Sequence, residues 1–508
     1  MSEFFINGKP VQADDHLTVM QAAKANGYFI PYFCWHPNLS VPGNCRICTV
    51  EVEADGGGWL DIACNMPITP GMRVLTDSPR VRERRQQTLQ FITLNHPVDC
   101  GICDKAGECT LQDFHYEYNG APSISIEPKV KSTKHFALSE RIVLDNERCI
   151  LCTRCVRFTR EISKSHALGV QNRGDHSLIR PVEDGAFETD AYSDNVIDLC
   201  PVGALLSTQF LHKARVWYLK ATPSVCPGCE RGCSINVWHR KSEWRLKALD
   251  PVQNARIDRV TPRDNPAVNG PWVCNKARDL TQIFERARAT QPLLKGSVTD
   301  LPQAITQARA LIQAARSPVA LISNWASNEE LATFKTTLGD RFNCLVKTDQ
   351  QRAPGEPLRD DLLIRADKNP NTAGALALFP TPARDGATAF PPDCDLVLVW
   401  GEGFSFAQLP AQARIIYLNA WLQPENGHAD VFMPISVMTE RSGHYTNFEG
   451  VVSAFEACFT KPDGVQDAEA LFRQLAAGGR LQGNAGPPQV SLTPSGGGLG
   501  AAPPWERS

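Results

Sequence analysis

The sequence contains no apolar run long enough to span a bilayer, so any membrane role is expected to come through partner subunits. Its opening, Met1-Ser2-Glu3-Phe4-Phe5, has no basic stretch ahead of an apolar core, and no secretory signal is expected. Neither sign of charge prevails: 52 Lys and Arg face 55 Asp and Glu, a formal net charge of -3. That balance excludes a strongly basic nucleic-acid face and an acidic solvating tail. No Gly-rich phosphate fingerprint stands out, so no dinucleotide pocket is expected in this chain. Cysteine is scarce beyond residue 280, where only Cys344, Cys394 and Cys458 occur.

The preceding region is the opposite. Of 18 cysteines, 15 fall between Cys34 and Cys274. A secreted disulfide scaffold would be short and would carry a signal peptide, and this chain does neither. Dense, tightly spaced cysteines in a reducing compartment point to metal. The 508 residues are enough for about three to four domains, and 42% hydrophobic with 21% charged residues is ordinary for a globular chain.

Residues 1–78 alternate short apolar runs with turn residues and read as a small β-rich unit. One helix is expected over Thr18–Asn26, with Thr18 as its cap and Gly27 at its end. Residues 79–140 open with a charged helix, Val81 to Asn95, whose polar face is expected to carry Arg82, Glu83, Arg84 and Arg85. Residues 141–218 hold a further Cys-rich block, and residues 219–280 run from Cys-Pro-Gly-Cys to Pro-Trp-Val-Cys. From 281 to 477, apolar strand-like runs (Val319–Ile322, Leu396–Trp400, Ala413–Leu418) alternate with helical stretches (Leu301–Ala315, Asn328–Leu338), which predicts an α/β layer. The three isolated cysteines are expected to be buried core residues. Residues 478–508 are rich in Gly, Pro and Ser and are expected to be disordered.

Four sets of ligands emerge. Cys34, Cys45, Cys48 and Cys64 have a longer first gap than the plant-type ferredoxin pattern, but keep the short C-x2-C and a distant fourth Cys; a 2Fe–2S cluster fits. The glycine between Cys34 and Cys45 matters, because a loop that turns its amides toward a cluster needs dihedrals glycine permits. The second set is Cys100, Cys103 and Cys109, a triad lacking a fourth thiolate, with His96 four residues ahead as the natural fourth ligand. A neutral imidazole in place of a thiolate would raise the cluster's reduction potential. Cys149, Cys152 and Cys155 with distant Cys200-Pro201 follow the bacterial ferredoxin spacing for 4Fe–4S. Cys226, Cys229, Cys233 and Cys274 also suit 4Fe–4S. Zinc held by the same residues is the alternative for the first, second and fourth sets. Four zinc sites in a row would have no evident purpose, whereas four clusters in sequence make a path for electrons.

These motifs resemble the large iron–sulfur subunit of NADH–quinone oxidoreductase, respiratory complex I. The match is carried by Ile-Pro-Tyr-Phe-Cys-Trp-His-Pro, Gly-Asn-Cys-Arg-Ile-Cys, His-Pro-Val-Asp-Cys-Gly-Ile-Cys-Asp and Arg-Cys-Ile-Leu-Cys-Thr-Arg-Cys-Val-Arg-Phe within residues 1–280. The resemblance implies a multidomain α+β protein: a β-grasp ferredoxin domain, a domain with one His and three Cys ligands, a ferredoxin-like 4Fe–4S domain, then a molybdopterin-oxidoreductase-type domain. It implies one 2Fe–2S and three 4Fe–4S clusters, the first three on the electron route and the fourth off it. The flavin and NADH pocket would belong to a partner subunit, alongside other hydrophilic-arm subunits, peripheral to the cytoplasmic side of a bacterial inner membrane. An electron-relay subunit of a soluble NAD-linked hydrogenase or formate dehydrogenase is the alternative. The run Met433-Pro434-Ile435 to Glu440, with Gly443, Tyr445-Thr446-Asn447 and Glu449-Gly450, looks like the strand-and-loop signature of molybdopterin oxidoreductases. Residues 281–477 are much shorter than a complete domain of that type, and no molybdenum is expected.

Overall fold

The structure is a computed structural model and describes residues 1–244, 256–348, 358–383 and 388–477. The tail expected to be disordered, 478–508, lies outside the described residues. The chain divides into two compact units. The first is Met1–Lys220 with Arg240–Leu246 and Val273–Arg278, and the second takes the remainder.

The first unit opens with strands β1 (Ser2–Ile6) and β2 (Lys9–Ala13). The turn between them places Asn7 and Gly8 at positive φ (50° and 78°), the geometry that matches strand twist in a tight hairpin. Helix α1 (Val19–Ala25) follows, then β3 (Thr49–Glu53), β4 (Trp59–Ile62) and β5 (Arg73–Leu75). The sheet order is β2-β1-β5-β3-β4, with β1 and β5 parallel, which is the expected β-grasp arrangement. Thr18 caps α1 in a reciprocal box with Gln21, and Gly27 (φ 76°) ends it, as the sequence suggested. Phe4, Ile6, Val19 and Ala22 are fully buried between helix and sheet.

Helix α2 runs Pro79–Thr93, two residues ahead of the expected start. Ser78 accepts from the Val81 amide (3.3 Å), and proline is preorganised for the first helical position. Arg85 is not on the polar face. It is buried, donates to the Thr49 carbonyl (3.2 Å) and lies over the Tyr118 ring. Helix α3 (Thr110–Phe114), strands β6 (Phe136–Ala137) and β7 (Ile142–Leu144), and helix α4 (Arg154–Glu161) come next. The hairpin β8 (Leu168–Gln171) and β9 (Leu178–Pro181), helix α5 (Asn195–Leu199) and strand β10 (Leu205–Ser207) complete this part, with β10, β7 and β6 forming one sheet.

The second unit contains most of a three-stranded sheet, β11 (Leu219–Val225), β12 (Ser234–Arg240) and β13 (Ile257–Pro262). Its main body is the expected α/β layer. Strands β14 (Leu293–Leu294), β15 (Ser297–Val298), β16 (Pro318–Ile322), β17 (Asn343–Lys347), β18 (Pro382–Ala383), β19 (Leu396–Trp400), β20 (Arg414–Asn419) and β21 (Val431–Pro434) form one sheet in the order 15-14-21-20-19-16-17-18. From β21 to β18 every pairing is parallel. Parallel strands covered on both faces must be apolar throughout, and every residue of Val319–Ile322 and Leu396–Trp400 is buried. Phe334, Trp400 and Phe472 pack ring against ring, with centroids 4.7–5.8 Å apart, and fix helices Asn328–Thr337 and Ala468–Ala476 on one face. The signature beginning at Met433 leads from β21 into a hairpin, β22 (Gly443–Thr446) and β23 (Val452–Phe455). Cys394 and Cys458 are buried as expected. Cys344 departs from that expectation: it sits at the beginning of β17 and is half-buried against the core.

Candidate iron–sulfur sites

The first set is brought together. Cys34 and Cys45 hydrogen-bond through their side chains, as do Cys48 and Cys64, and charge on Cys34 is felt at both Cys45 and Cys48. The hydrogen bond with Cys45, helped by nearby amides and opposed by burial, holds the Cys34 thiol down to about 6, while Cys45 and Cys48 are pushed up. Each iron of a 2Fe–2S cluster carries two thiolates besides its two bridging sulfides, so two thiol pairs are the arrangement it requires. Gly43 (φ 66°) and Arg46 (φ 61°) turn the loop around Cys45, and the Cys34 amide donates to Cys45 Sγ at 3.5 Å. The glycine acts as expected, but the left-handed arginine carried no sequence signal.

The second set lies on the loop between α2 and α3. Cys103 feels Cys100, and Cys109 feels Cys103; burial pushes Cys109 up to about 11. His96 Nδ1 is buried without a hydrogen-bond partner. Burial, then the charges of Arg148 and Lys129, pull the imidazole down to about 4, so it is neutral as a metal ligand must be. The charges of Asp145 and Asp99, the latter beside Cys100, oppose that fall. Gly107 (φ 86°) has Trp217 so near that a Cβ would meet its ring at 2.7 Å, and Arg215 donates to the carbonyls of Gly101 and Cys103 at 2.5 Å each.

The third set converges fully. Cys155, on the first turn of α4, is pushed up by burial and by the charges of Cys152, Cys149 and Cys200. Burial likewise holds the Cys152 thiol up, at about 11, although Arg154 pulls it down. Leu151 and Thr153 adopt left-handed backbone (φ 51° and 58°), and the Leu151 amide donates to Cys149 Sγ at 3.4 Å. Alternating handedness aims successive amides inward and forms an anion-binding nest. Two branched or bulky residues hold a strained conformation there, costing about 1–3 kcal/mol each. Cys200 ends α5, and the Pro201 carbonyl accepts from the Thr110 amide (3.2 Å).

This third set touches ligand residues of both others. Arg157 Nη2 donates to the carbonyls of Cys34 (2.5 Å) and Cys152 (3.2 Å). Gly203, three residues beyond Cys200, abuts Cys103 so tightly that a Cβ would overlap its Sγ.

Of the fourth set, Cys226, Cys229 and Cys233 lie together on the loop between β11 and β12, all buried. The Cys226 amide donates to the Cys233 carbonyl (2.8 Å), the Gly228 amide to Cys226 Sγ (3.4 Å), and Gly232 (φ 60°) makes the return. Cys274 belongs to the first unit and is half-buried.

Among the described residues, no three His, Cys, Asp or Glu side chains converge closely enough to hold a single metal ion. A cluster spreads its ligands over separate irons and needs a wider cradle. Amides aimed at sulfur, the unpartnered His96 nitrogen and the absence of any side chain at Gly203 all fit such a group.

Four family models match the chain in succession. They are the 2Fe-2S iron-sulfur cluster binding domain (residues 1–79), the NADH-ubiquinone oxidoreductase-G iron-sulfur binding region (85–121), the ferredoxin-like domain of NADH-quinone oxidoreductase subunit 3 (139–206) and the molybdopterin oxidoreductase Fe4S4 domain (219–286). The NADH-ubiquinone oxidoreductase 75 kDa subunit of Reclinomonas americana is 36% identical over 306 residues, 58% of this chain and 40% of that protein. The chain is a homologue of the large iron–sulfur subunit of NADH–quinone oxidoreductase across its iron–sulfur domains. The mitochondrial NADH dehydrogenase (ubiquinone) iron-sulfur protein 1 of Solanum tuberosum is 37% identical over 295 residues, 58% of this chain and 38% of that protein. The chain thus spans about two fifths of the length of these curated relatives. A solved NAD+-reducing nickel–iron hydrogenase in the H2-reduced state is 29% identical, with a TM-score of 0.38, covering 42% of this chain and 91% of that one.

Proposed function

We propose that the chain is the iron–sulfur electron-relay subunit of an NADH–quinone oxidoreductase, taking electrons from the flavin of a partner subunit and passing them toward quinone. In this reading Cys34, Cys45, Cys48 and Cys64 hold a 2Fe–2S cluster. His96 with Cys100, Cys103 and Cys109 holds one 4Fe–4S cluster, and Cys149, Cys152, Cys155 and Cys200 hold another. Cys226, Cys229, Cys233 and Cys274 hold a third 4Fe–4S cluster off the route. When bound, such clusters supply reversible one-electron carriers. The chain's own residues hold the carriers, exclude water and fix their separation.

The observation that carries the reading is the position of the third ligand loop, in contact with Cys34 on one side and Cys103 on the other. A relay needs neighbouring carriers, and this contact supports the order first, third, second, which is not the order of the ligands along the chain. The neutral His96 imidazole supports a higher potential at the end of that route. The α/β domain serves as a scaffold without molybdenum. Among the described residues no helix is long and apolar enough to cross a membrane. The chain is proposed to sit peripherally on the cytoplasmic side of the inner membrane, beside the flavin subunit and other hydrophilic-arm subunits.

The test is purification of the native complex, followed by iron, zinc and acid-labile sulfide analysis and low-temperature EPR of the reduced protein. One 2Fe–2S signal and separate 4Fe–4S signals are expected. Zinc without iron or sulfide would overturn the reading.

A further inference from the structure

Two arginines on the first turns of α4 hold unusual positions. Arg154 and Arg157 are 7% and 4% exposed, and neither has a carboxylate within ion-pair distance among the described residues. Their donors go to main-chain carbonyls instead. Arg154 reaches Leu199 (3.1 Å) and Trp35 (2.7 Å), leaves Nε without a partner, and lies over the Tyr32 ring. Arg157 reaches Ser40 and Cys34 (2.5 Å each) and Cys152 (3.2 Å), with Nε on Thr153 Oγ1. Glu161, the nearest acid on the helix, is taken by Ser40 and Arg160.

Leu199 precedes Cys200, and Trp35 follows Cys34. Both arginines therefore bridge the first and third ligand sets. Carbonyl dipoles alone do not compensate a buried guanidinium, and an uncompensated buried charge costs several kcal/mol. A cluster bound by four thiolates is a net anion in either oxidation state and gains a further negative charge on reduction.

We infer that Arg154 and Arg157 are shared counter-charges for the first and third clusters, stabilising the reduced form of both at once. This rests on the proposed relay function and deepens it. The arginines touch no substrate; they are positioning residues that act through the clusters.

The test is an EPR-monitored redox titration of the intact complex carrying Arg157→Gln, Arg157→Lys, Arg154→Gln or Arg154→Lys. Each glutamine variant is expected to lower the reduced-to-oxidised ratio of both clusters at a fixed potential by about tenfold, equivalent to about 59 mV for one electron. The cluster bound through His96 should stay within the wild-type range, and the lysine variants should shift less than the glutamine ones. Signals present but unshifted, or a shift of one cluster only, would overturn the shared role. If the glutamine variants lose the clusters, the lysine variants decide: clusters retained near wild-type potential support the counter-charge, and clusters lost there too make the arginines purely structural. A wild-type complex without these signals would instead sink the relay reading itself.

Discussion

Gly203 packs directly against the sulfur of Cys103, with Lys105 Cβ 3.2 Å from where a Gly203 Cβ would stand. Its neighbours Val202 and Ala204 are buried, and the Ala204 carbonyl accepts from the Asp145 amide (2.8 Å), so the backbone has no room to retreat. Gly203→Ala should therefore displace either the Cys200 loop or Cys103. Overpacking of this kind costs about 1–3 kcal/mol. The EPR signals of the second and third clusters should weaken together while the 2Fe–2S signal persists. Wild-type intensity at both 4Fe–4S sites would mean that the two loops separate freely.

His96→Cys should keep a four-ligand site and add negative charge beside the iron. The cluster should assemble and titrate at a more negative potential. His96→Ala should instead lose iron, because the three thiols alone leave one iron without its ligand. An unchanged potential in His96→Cys would remove His96 from the ligand set.

The proposed ligand sets could be marked out in the sequence because ligand spacing is a local property. C-x2-C-x2-C dictates a wrapped loop whatever surrounds it, and Thr18 and Gly27 bracket α1 by cap chemistry alone. The α/β layer was legible for a similar reason, since unbroken runs such as Leu396–Trp400 suit only strands buried on both faces. What the sequence hid was tertiary. Arg85 reads as one more charge on a basic helix, yet it is buried against the Tyr118 ring. Leu151 and Thr153 carry no propensity for left-handed backbone; the nest imposes it on them. The contacts of the third set's segments with Cys34 and Cys103 were hidden because they run through Arg157 and Gly203, and neither has a ligand motif to mark it.

The second unit contains a buried ion pair whose loss is testable. Glu330 is 3% exposed, pairs with Arg441 at 2.9 Å, and completes the cap of its helix through Ser327 (2.8 Å). Burial raises the Glu330 carboxyl, and Arg441 opposes that rise. Arg441→Met removes the opposing charge and should destabilise this unit by about 3–5 kcal/mol. The sign with pH follows from the direction. A carboxyl raised in the folded state binds its proton more tightly there than when unfolded, so its contribution is intact below the unfolded pKa and declines as pH rises through the folded value. Chemical denaturation of the variant should therefore show more stability in mild acid than in mild alkali, more steeply than wild type. A flat pH profile would show that Glu330 finds another partner.

Cys152 and Cys229 test the proposed separation of the electron route from the side site. Cys152 has Arg157 on its carbonyl and shares that arginine with Cys34, so Cys152→Ser should stop electron flow from NADH to quinone even where the complex assembles. Cys229 lies on a loop of the second unit that bonds Asp367 through the Glu230 amide (2.9 Å) and Phe448, whose amide donates to the Glu230 carbonyl (3.1 Å). Cys229→Ser should spare most of the flow and act on folding, read as reduced yield of complex and lower thermal stability. The decisive comparison is turnover per assembled complex. A Cys229→Ser complex at wild-type yield with no turnover would put the fourth set on the electron route, and a Cys152→Ser complex with normal turnover would take the third set off it.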